Sequence, residues 1–162
     1  MCGQGSAVDI NNDGIIVGTS SNAAGALRGV RWINGTVEDL GFPYPVSINS
    51  TGEIAGTDRY GATGQGYFWR AGVLRTLGSF GGATVVADMN DQSTVVGTSL
   101  TADQVPHAFV WTPDDGRLID LGAGPRGAET GVMVIAVNAR GDIIGKTVGA
   151  AVSRAVLWKV IR

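Results

Sequence analysis

Residues 84–111 read TVVADMNDQSTVVGTSLTADQVPHAFVW, and this stretch contains three features that recur along the chain. Asp88-Met89-Asn90 comes first, Val95-Val96-Gly97 follows after a polar turn, and Trp111 ends the stretch. Short runs of Val and aromatic residues between clusters of Asn, Asp, Ser and Gly are typical of β-strands joined by turns. The stretch therefore predicts several short strands and no helix.

The same three features occur four times in constant order, which indicates an internal repeat. The tryptophans are 37, 42 and 47 residues apart, and three copies also end on a Leu-Gly pair. The features, copy by copy, are Asp9-Ile10-Asn11, Ser47-Ile48-Asn49, Asp88-Met89-Asn90 and Ala136-Val137-Asn138, then Ile16-Val17-Gly18, Ile54-Ala55-Gly56, Val95-Val96-Gly97 and Ile143-Ile144-Gly145, and finally Trp32, Trp69, Trp111 and Trp158.

Each copy divides into short strands, and the first copy shows the division best. Its strands are predicted at residues 7–11, 15–19, 28–33 and 36–40, and Asn34-Gly35 between the last two is a strong hairpin signal. Four antiparallel strands per copy predict an all-β fold, a small single-domain β-propeller of four blades; a β-solenoid or a sandwich is the alternative. The predicted blades are residues 1–43, 44–83, 84–130 and 131–162.

Composition supports a globular all-β chain and argues against several functions. The chain has 26 Gly, 44% hydrophobic and 16% charged residues, and a net charge of −2 without a basic stripe, so nucleic acid is not an expected partner. The apolar run at residues 132–137 is too short to cross a bilayer, and the first residues do not read as a signal peptide. With only Cys2 and one His, neither a disulfide nor a zinc site is expected.

The third copy resembles the bacterial extracellular repeat family called HAF, through His107-Ala108-Phe109-Val110-Trp111 and the two features that precede it. The resemblance covers essentially the whole chain, although only this copy keeps the His. It implies a propeller-like fold and an exported or extracellular setting more than an activity.

The fourth copy is shorter than the others, because only Lys-Val-Ile-Arg follows Trp158. Its last strand would be supplied by the residues before Ser6 or by a second protomer, which makes a homo-oligomer one expected outcome. The remaining alternative is that the chain is part of a longer repeat array.

Two columns of equivalent residues are candidate binding sites for a small molecule or a glycan. The first column stands at the start of the third strand in each copy and contains Arg28, Gln65, His107 and Arg154. These residues would form either a solvated rim or a polar ring that contacts anions. The second column stands two residues before the repeated Asn and contains Asp9, Ser47, Asp88 and Ala136. These residues would either cap their own turns or form a binding site on the axis of the ring.

Two further patterns have an ordinary structural interpretation. Residues 9–14 match the first half of a calcium loop, but Ser20 stands at the twelfth position where Glu is required, so a plain turn is favoured and no cofactor is expected. The repeated Trp residues could stack on sugars, yet a Trp in every copy, with a Gly or Ala three positions before it, favours core packing between blades.

The sequence favours a non-enzymatic binding or structural propeller. No nucleophile and base stand in a recognisable arrangement. One alternative is a small enzyme that acts on a hydrophobic or polyketide-like molecule through Asp9, Asp88 and His107 near the ring axis. The other is a lectin with one site per blade. An enzyme would need one copy that departs from the others, and the long loops at residues 58–65, 100–106 and 123–130 are where such a departure is expected.

Overall fold

A computed structural model describes residues 5–58, 64–124, 131–149 and 151–159. Across these ranges the chain forms fifteen β-strands and no helix, which confirms the predicted all-β class. Cys2, the segment before Gly5, and most of the loops predicted at residues 58–65 and 123–130 lie outside the described residues. Within the described ranges, no helix has the length and apolar character needed to cross a membrane.

The strands form four antiparallel sheets that follow the order of the chain. Sheet 1 contains β1 (Gly5–Ile10), β2 (Ile16–Ser21), β3 (Leu27–Ile33) and β4 (Thr36–Asp39). Sheet 2 contains β5 (Tyr44–Ile48), β6 (Ile54–Thr57), β7 (Gly66–Arg70) and β8 (Val73–Thr76). Sheet 3 contains β9 (Gly81–Met89), β10 (Val95–Thr101), β11 (Pro106–Trp111) and β12 (Ile119–Gly122). Sheet 4 contains β13 (Val132–Val137), β14 (Ile143–Thr147) and β15 (Ala155–Trp158).

Sheet 4 has three strands in the described part of the chain, in line with the shorter fourth copy. The described residues before Ile10 form β1, which pairs with β2 inside sheet 1. Of the residues before Ser6, only Gly5 lies in the described part of the chain, so the source of a fourth strand in sheet 4 stays a prediction.

The repeated asparagine shapes the turn between the first two strands of every sheet. Asn11 Oδ1 accepts the backbone N–H groups of Asp13 at 3.1 Å and Ile15 at 3.0 Å. The asparagines of the other three copies make the same two bonds. A side chain that satisfies two turn amides explains why Asn recurs at this position.

The first strand of every sheet carries a β-bulge, and the bulge explains the repeated glycine. The bulged residues are Val8, Val46, Ala87 and Ile135. Beside the bulge, the neighbouring carbonyl oxygen comes so close that a Cβ on Gly18 would lie 2.0 Å from Ser6 O. A Cβ on Gly97 would lie 2.1 Å from Val85 O. The close approach leaves no room for a side chain, so the third residue is Gly in each repeated triplet, which is Ile16-Val17-Gly18 in the first copy.

Consecutive sheets pack face to face over three apolar cores. We call the side of a sheet that packs on the preceding sheet its leading face and the opposite side its trailing face. Successive residues of a strand point to opposite faces, so each copy supplies both. The trailing residues are Val17 in the first core, Ala55 and Phe68 in the second, and Val96 in the third; the leading residues are Ile48, Ile54 and Trp69, then Met89, Val95 and Trp111, then Val137, Ile143 and Trp158.

Trp69, Trp111 and Trp158 lie in these cores, in line with the packing interpretation, whereas Trp32 lies outside them. Trp69 is 6% exposed and Trp111 is fully buried, whereas Trp32 and Trp158 are half-buried. Arg31 of sheet 1 lies over the Trp69 ring, 4.5 Å from its centroid, and extends the contact between the two sheets. Trp158 donates its indole N–H to Leu121 O at 3.3 Å.

Candidate functional site

The first column of candidate residues contains two side chains that pair with carboxylates of their own sheet. Arg28 Nε lies 3.0 Å from the Asp39 carboxylate, and His107 Nδ1 lies 3.0 Å from the Asp120 carboxylate. Asp39 and Asp120 hold equivalent positions, and each also accepts the backbone N–H of the glycine in the following Leu-Gly pair. The pairing couples the third and fourth strands of these two sheets.

The other members of this column make different contacts. Gln65 accepts a hydrogen bond from the Tyr67 hydroxyl at 3.3 Å, and its own N–H donates to Asp58. Arg154 donates its backbone N–H to Thr147 Oγ1 at 2.9 Å. The four residues of this column therefore make different kinds of contact, and a polar ring that contacts anions remains a prediction.

The second column connects one sheet to the next. Asp9 Oδ2 accepts the N–H of Ile48 in sheet 2 at 2.9 Å, and Asp88 Oδ2 accepts the N–H of Val137 in sheet 4 at 2.9 Å. The second oxygen of each carboxylate accepts the N–H of the residue that follows it. Each of the two carboxylates thus accepts one N–H of its own strand and one of the neighbouring sheet, while the amides of the following turn bond to Asn11 and Asn90.

Ser47 and Ala136 complete this column. Ser47 is 7% exposed, and its hydroxyl donates to Met89 O of sheet 3 at 3.4 Å. Ala136 has no polar group, so sheet 4 lacks the side chain that reaches the next sheet in the other three copies. An axial site formed by Asp9 and Asp88 together stays a prediction.

The described residues contain no group of three or more His, Cys, Asp or Glu side chains that could hold a metal ion. In the segment predicted as a turn or half of a calcium loop, the oxygens of Asp9 and Asn11 accept backbone N–H groups. The observed geometry of residues 9–14 is that of a hydrogen-bonded turn, with Gly14 at φ +76°.

A buried carboxylate network that was not predicted from the sequence lies between sheets 2 and 3. Glu53 is 6% exposed. Its carboxylate accepts hydrogen bonds from Asn49 Nδ2 at 2.7 Å, from the Ser93 hydroxyl and from Arg70 Nε. Because Ser93 belongs to the turn of sheet 3, the network joins two copies.

Burial would raise the pKa of Glu53, but the hydrogen bonds from Ser93, Asn49 and Arg70 and the Arg70 charge together outweigh it, so the pKa lies below its ordinary value. Glu53 is therefore an anion at neutral pH.

One sequence signal was available for this network. Ser93 stands where the other copies have Gly14, Gly52 and Gly141, and its φ of +60° is one that glycine normally adopts. A non-glycine residue at a repeated glycine position marks a place where one copy departs from the others. The identity of its partner depends on the packing of sheets.

A candidate binding site, which we call the apolar cleft, lies between sheets 3 and 4. Its volume is about 800 Å³, within the range of small-molecule sites. Thr98 contributes a hydroxyl to the wall, and that oxygen accepts the Val134 N–H at 3.1 Å. Among the residues of the wall are Val85, Ala87, Leu100, Val132, Met133 and Ile135.

A smaller, more polar pocket of about 370 Å³ also lies between sheets 3 and 4. It brings Arg140 and Lys159 beside the half-buried Trp158, with Thr94 and Thr112 on the opposite wall. Arg140 Nε lies 3.3 Å from Asp142, so one of the two cations is paired with a carboxylate.

In comparisons with known proteins, no protein-family model matches the chain, and no curated protein matches it.

Proposed function

We propose that the chain is a non-enzymatic binding or structural module of the β-propeller type, whose four sheets are successive blades with the first and last faces uncovered, and that it binds an apolar small molecule in the apolar cleft. Successive antiparallel sheets of three or four short strands, packed face to face in chain order, support the propeller part of the proposal. The similarity of residues 107–111 to the HAF repeat supports an exported setting.

The observation that carries the ligand class is the chemistry of the apolar cleft. Its wall is formed mainly by Val, Ala, Leu, Ile, Met and Pro side chains, and the Thr98 oxygen is already a hydrogen-bond acceptor. Such a wall gains free energy by removing apolar ligand surface from water, about 25 cal/mol per Å², and offers few partners to a sugar hydroxyl.

The contacts of the candidate acids favour binding over catalysis. Asp9 and Asp88 each accept two backbone N–H groups, and His107 pairs with Asp120. Groups used in this way hold the sheets together. The burial of Trp69 and Trp111 likewise favours this module over a lectin with one site per blade, because a buried ring offers no face to a sugar.

Titration with the neutral dye Nile red tests the proposal. The unmodified chain should enhance the dye fluorescence with saturable, one-to-one binding. Ala87→Glu places a charge in the cleft and Ala87→Leu fills it, and each should weaken binding about tenfold or more, the equivalent of ~1.4 kcal/mol. The control is Val73→Glu, at a position that is 61% exposed on β8.

Thermal melts followed by circular dichroism show whether the variants remain folded. Equal dye binding by the folded Ala87 variants and by the unmodified chain would remove the apolar cleft from the proposal.

A further inference from the structure

We propose that a second copy of this chain docks head to tail, with the trailing face of sheet 4 in one copy packed on the leading face of sheet 1 in the other. The proposal rests on the two end faces of the described sheets. It does not depend on a ligand in the apolar cleft.

The trailing face of sheet 4 exposes two positions that are less accessible in the other copies. Ile144 is 49% exposed, whereas its equivalents Val17, Ala55 and Val96 are all 0% exposed. Leu157 on the neighbouring strand is 53% exposed, whereas its equivalents in the other three sheets are buried or half-buried. This face is thus built like the three that are covered.

The leading face of sheet 1 shows the complementary exposure. Ile10 is 59% exposed, whereas its equivalents Ile48 and Met89 are 6% and 5% exposed. Trp32 is half-buried, and its equivalents in sheets 2 and 3 lie in the apolar cores. Sheet 1 therefore presents the surface that a preceding sheet would cover.

The two end faces are the two halves of a junction that the chain already forms three times. In each of the three cores, the middle residue of one triplet packs with residues of the next sheet equivalent to Ile10, Ile16 and Trp32. The trailing face of sheet 4 has a groove of about 330 Å³ beside Ile144 and Leu157. A partner that carries the matching surface is a second copy of this chain.

A contact between two different faces is heterologous, so each copy keeps one further face free until a ring closes. The fourth junction should also be weaker than the internal ones. Ala136 stands where Asp9 and Asp88 hold the next sheet, so no carboxylate reaches the N–H of Ile10 in the second copy. We therefore expect association that depends on protein concentration.

Sedimentation velocity with two face variants tests the proposal. Ile10→Asp disables the leading face of sheet 1, and Ile144→Asp disables the trailing face of sheet 4. The unmodified chain should gain mass as its concentration rises, and each variant alone should stay monomeric. A one-to-one mixture should form dimers that do not grow, because each variant keeps the face that the other lacks.

Val73→Asp, on exposed β8, is the matched control and should associate like the unmodified chain. Leu157→Asp repeats the trailing-face test if Ile144→Asp fails to fold by circular dichroism. An unmodified chain that is monomeric at every concentration would overturn the proposal. So would self-association of either variant alone, which would mean that a face pairs with itself.

Discussion

At the scale of single residues, a side-chain amide can replace two backbone partners in a turn, and the repeated asparagines are used in this way. Asn11 and its three equivalents each cap two N–H groups of the following turn. Asn11 Nδ2 also donates to Asn49 O, and Asn90 Nδ2 donates to Asn138 O. In the second and fourth copies, the amide donates instead to the carboxylate four residues later. An acidic residue at this turn position thus redirects the contact that the first and third copies make to the next copy.

Glu53→Gln should lower stability at neutral pH and make the chain less sensitive to acid. The folded pKa of Glu53 is lowered, so its contribution is complete above the unfolded value of about 4.3 and is lost as the pH falls through the folded value. Urea unfolding at pH 7 should show a loss of ~1–3 kcal/mol. The difference should shrink toward pH 3.

Asp13→Asn, in an exposed turn, is the control and should give a small difference at both pH values. A Glu53→Gln difference that is constant between pH 7 and pH 3 would show that the charge of Glu53 does not contribute.

Ser93→Gly should have a different effect with and without Glu53. Glycine relieves a positive φ that costs a non-glycine residue ~1–2 kcal/mol, but it removes a hydrogen bond to a carboxylate worth ~1.5–3 kcal/mol. The two effects nearly cancel in the unmodified chain. With Glu53→Gln already present, Ser93→Gly should stabilise by ~1 kcal/mol. A double-mutant cycle of urea unfolding measures the difference, and additive effects would contradict the coupling.

At the scale of strands and sheets, the bulges and the sheet-to-sheet bonds determine how the copies assemble. Each bulge gives the first strand an extra residue, which changes the alternation of side chains and increases the local twist. Beyond the bulge, Asp9 and Asp88 reach the backbone of the next first strand. Apolar cores and carboxylate bonds therefore act at the same junctions.

Asp88→Ala should loosen the junction between sheets 3 and 4 more than that between sheets 1 and 2. The bond from Val137 N–H to a carboxylate is worth ~1.5–3 kcal/mol, so hydrogen exchange at Val137 should accelerate about 10- to 100-fold. Exchange at Ile48 should change little. Asp9→Ala is the matched control and should give the reverse pattern, because Asp9 holds Ile48. Equal acceleration at both sites would show that the loss is global.

At the scale of the whole molecule, extensive strand contacts link each sheet to the next one in the chain. Stability in such an arrangement is the sum of sheet and neighbour contributions, so end sheets are less supported than middle ones. Exposure of Ile10 and Ile144 at the two ends agrees with this description. The same arrangement makes the ends the natural place for assembly.

Hydrogen exchange should be slowest in β6 and β10 and faster in β1, β14 and β15 at low protein concentration. The middle sheets are covered on both faces, whereas sheets 1 and 4 each have one uncovered face. Mass spectrometry of peptides from these strands measures the gradient. Uniform protection at a concentration where the chain is monomeric would mean that it unfolds as one cooperative unit.

Much of the fold could be predicted because its determinants are local. Asn34-Gly35 predicts the hairpin between β3 and β4, because Asn and Gly tolerate a positive φ. Both residues adopt a positive φ, 49° at Asn34 and 77° at Gly35. The repeated Asn and Gly mark turns and close backbone approaches in each copy. The all-β class and the strands of the first copy follow from such signals.

Only the tertiary structure shows which residues meet, because those contacts join positions far apart in the chain. Asp9 finds the amide of Ile48, and Glu53 finds the hydroxyl of Ser93. The apolar cleft likewise needs β9 and β13 side by side. The sequence alone determined the repeat and its strands through local backbone preferences. The sheet-to-sheet bonds, the buried carboxylate and the exposed end faces were decided by how four similar sheets pack.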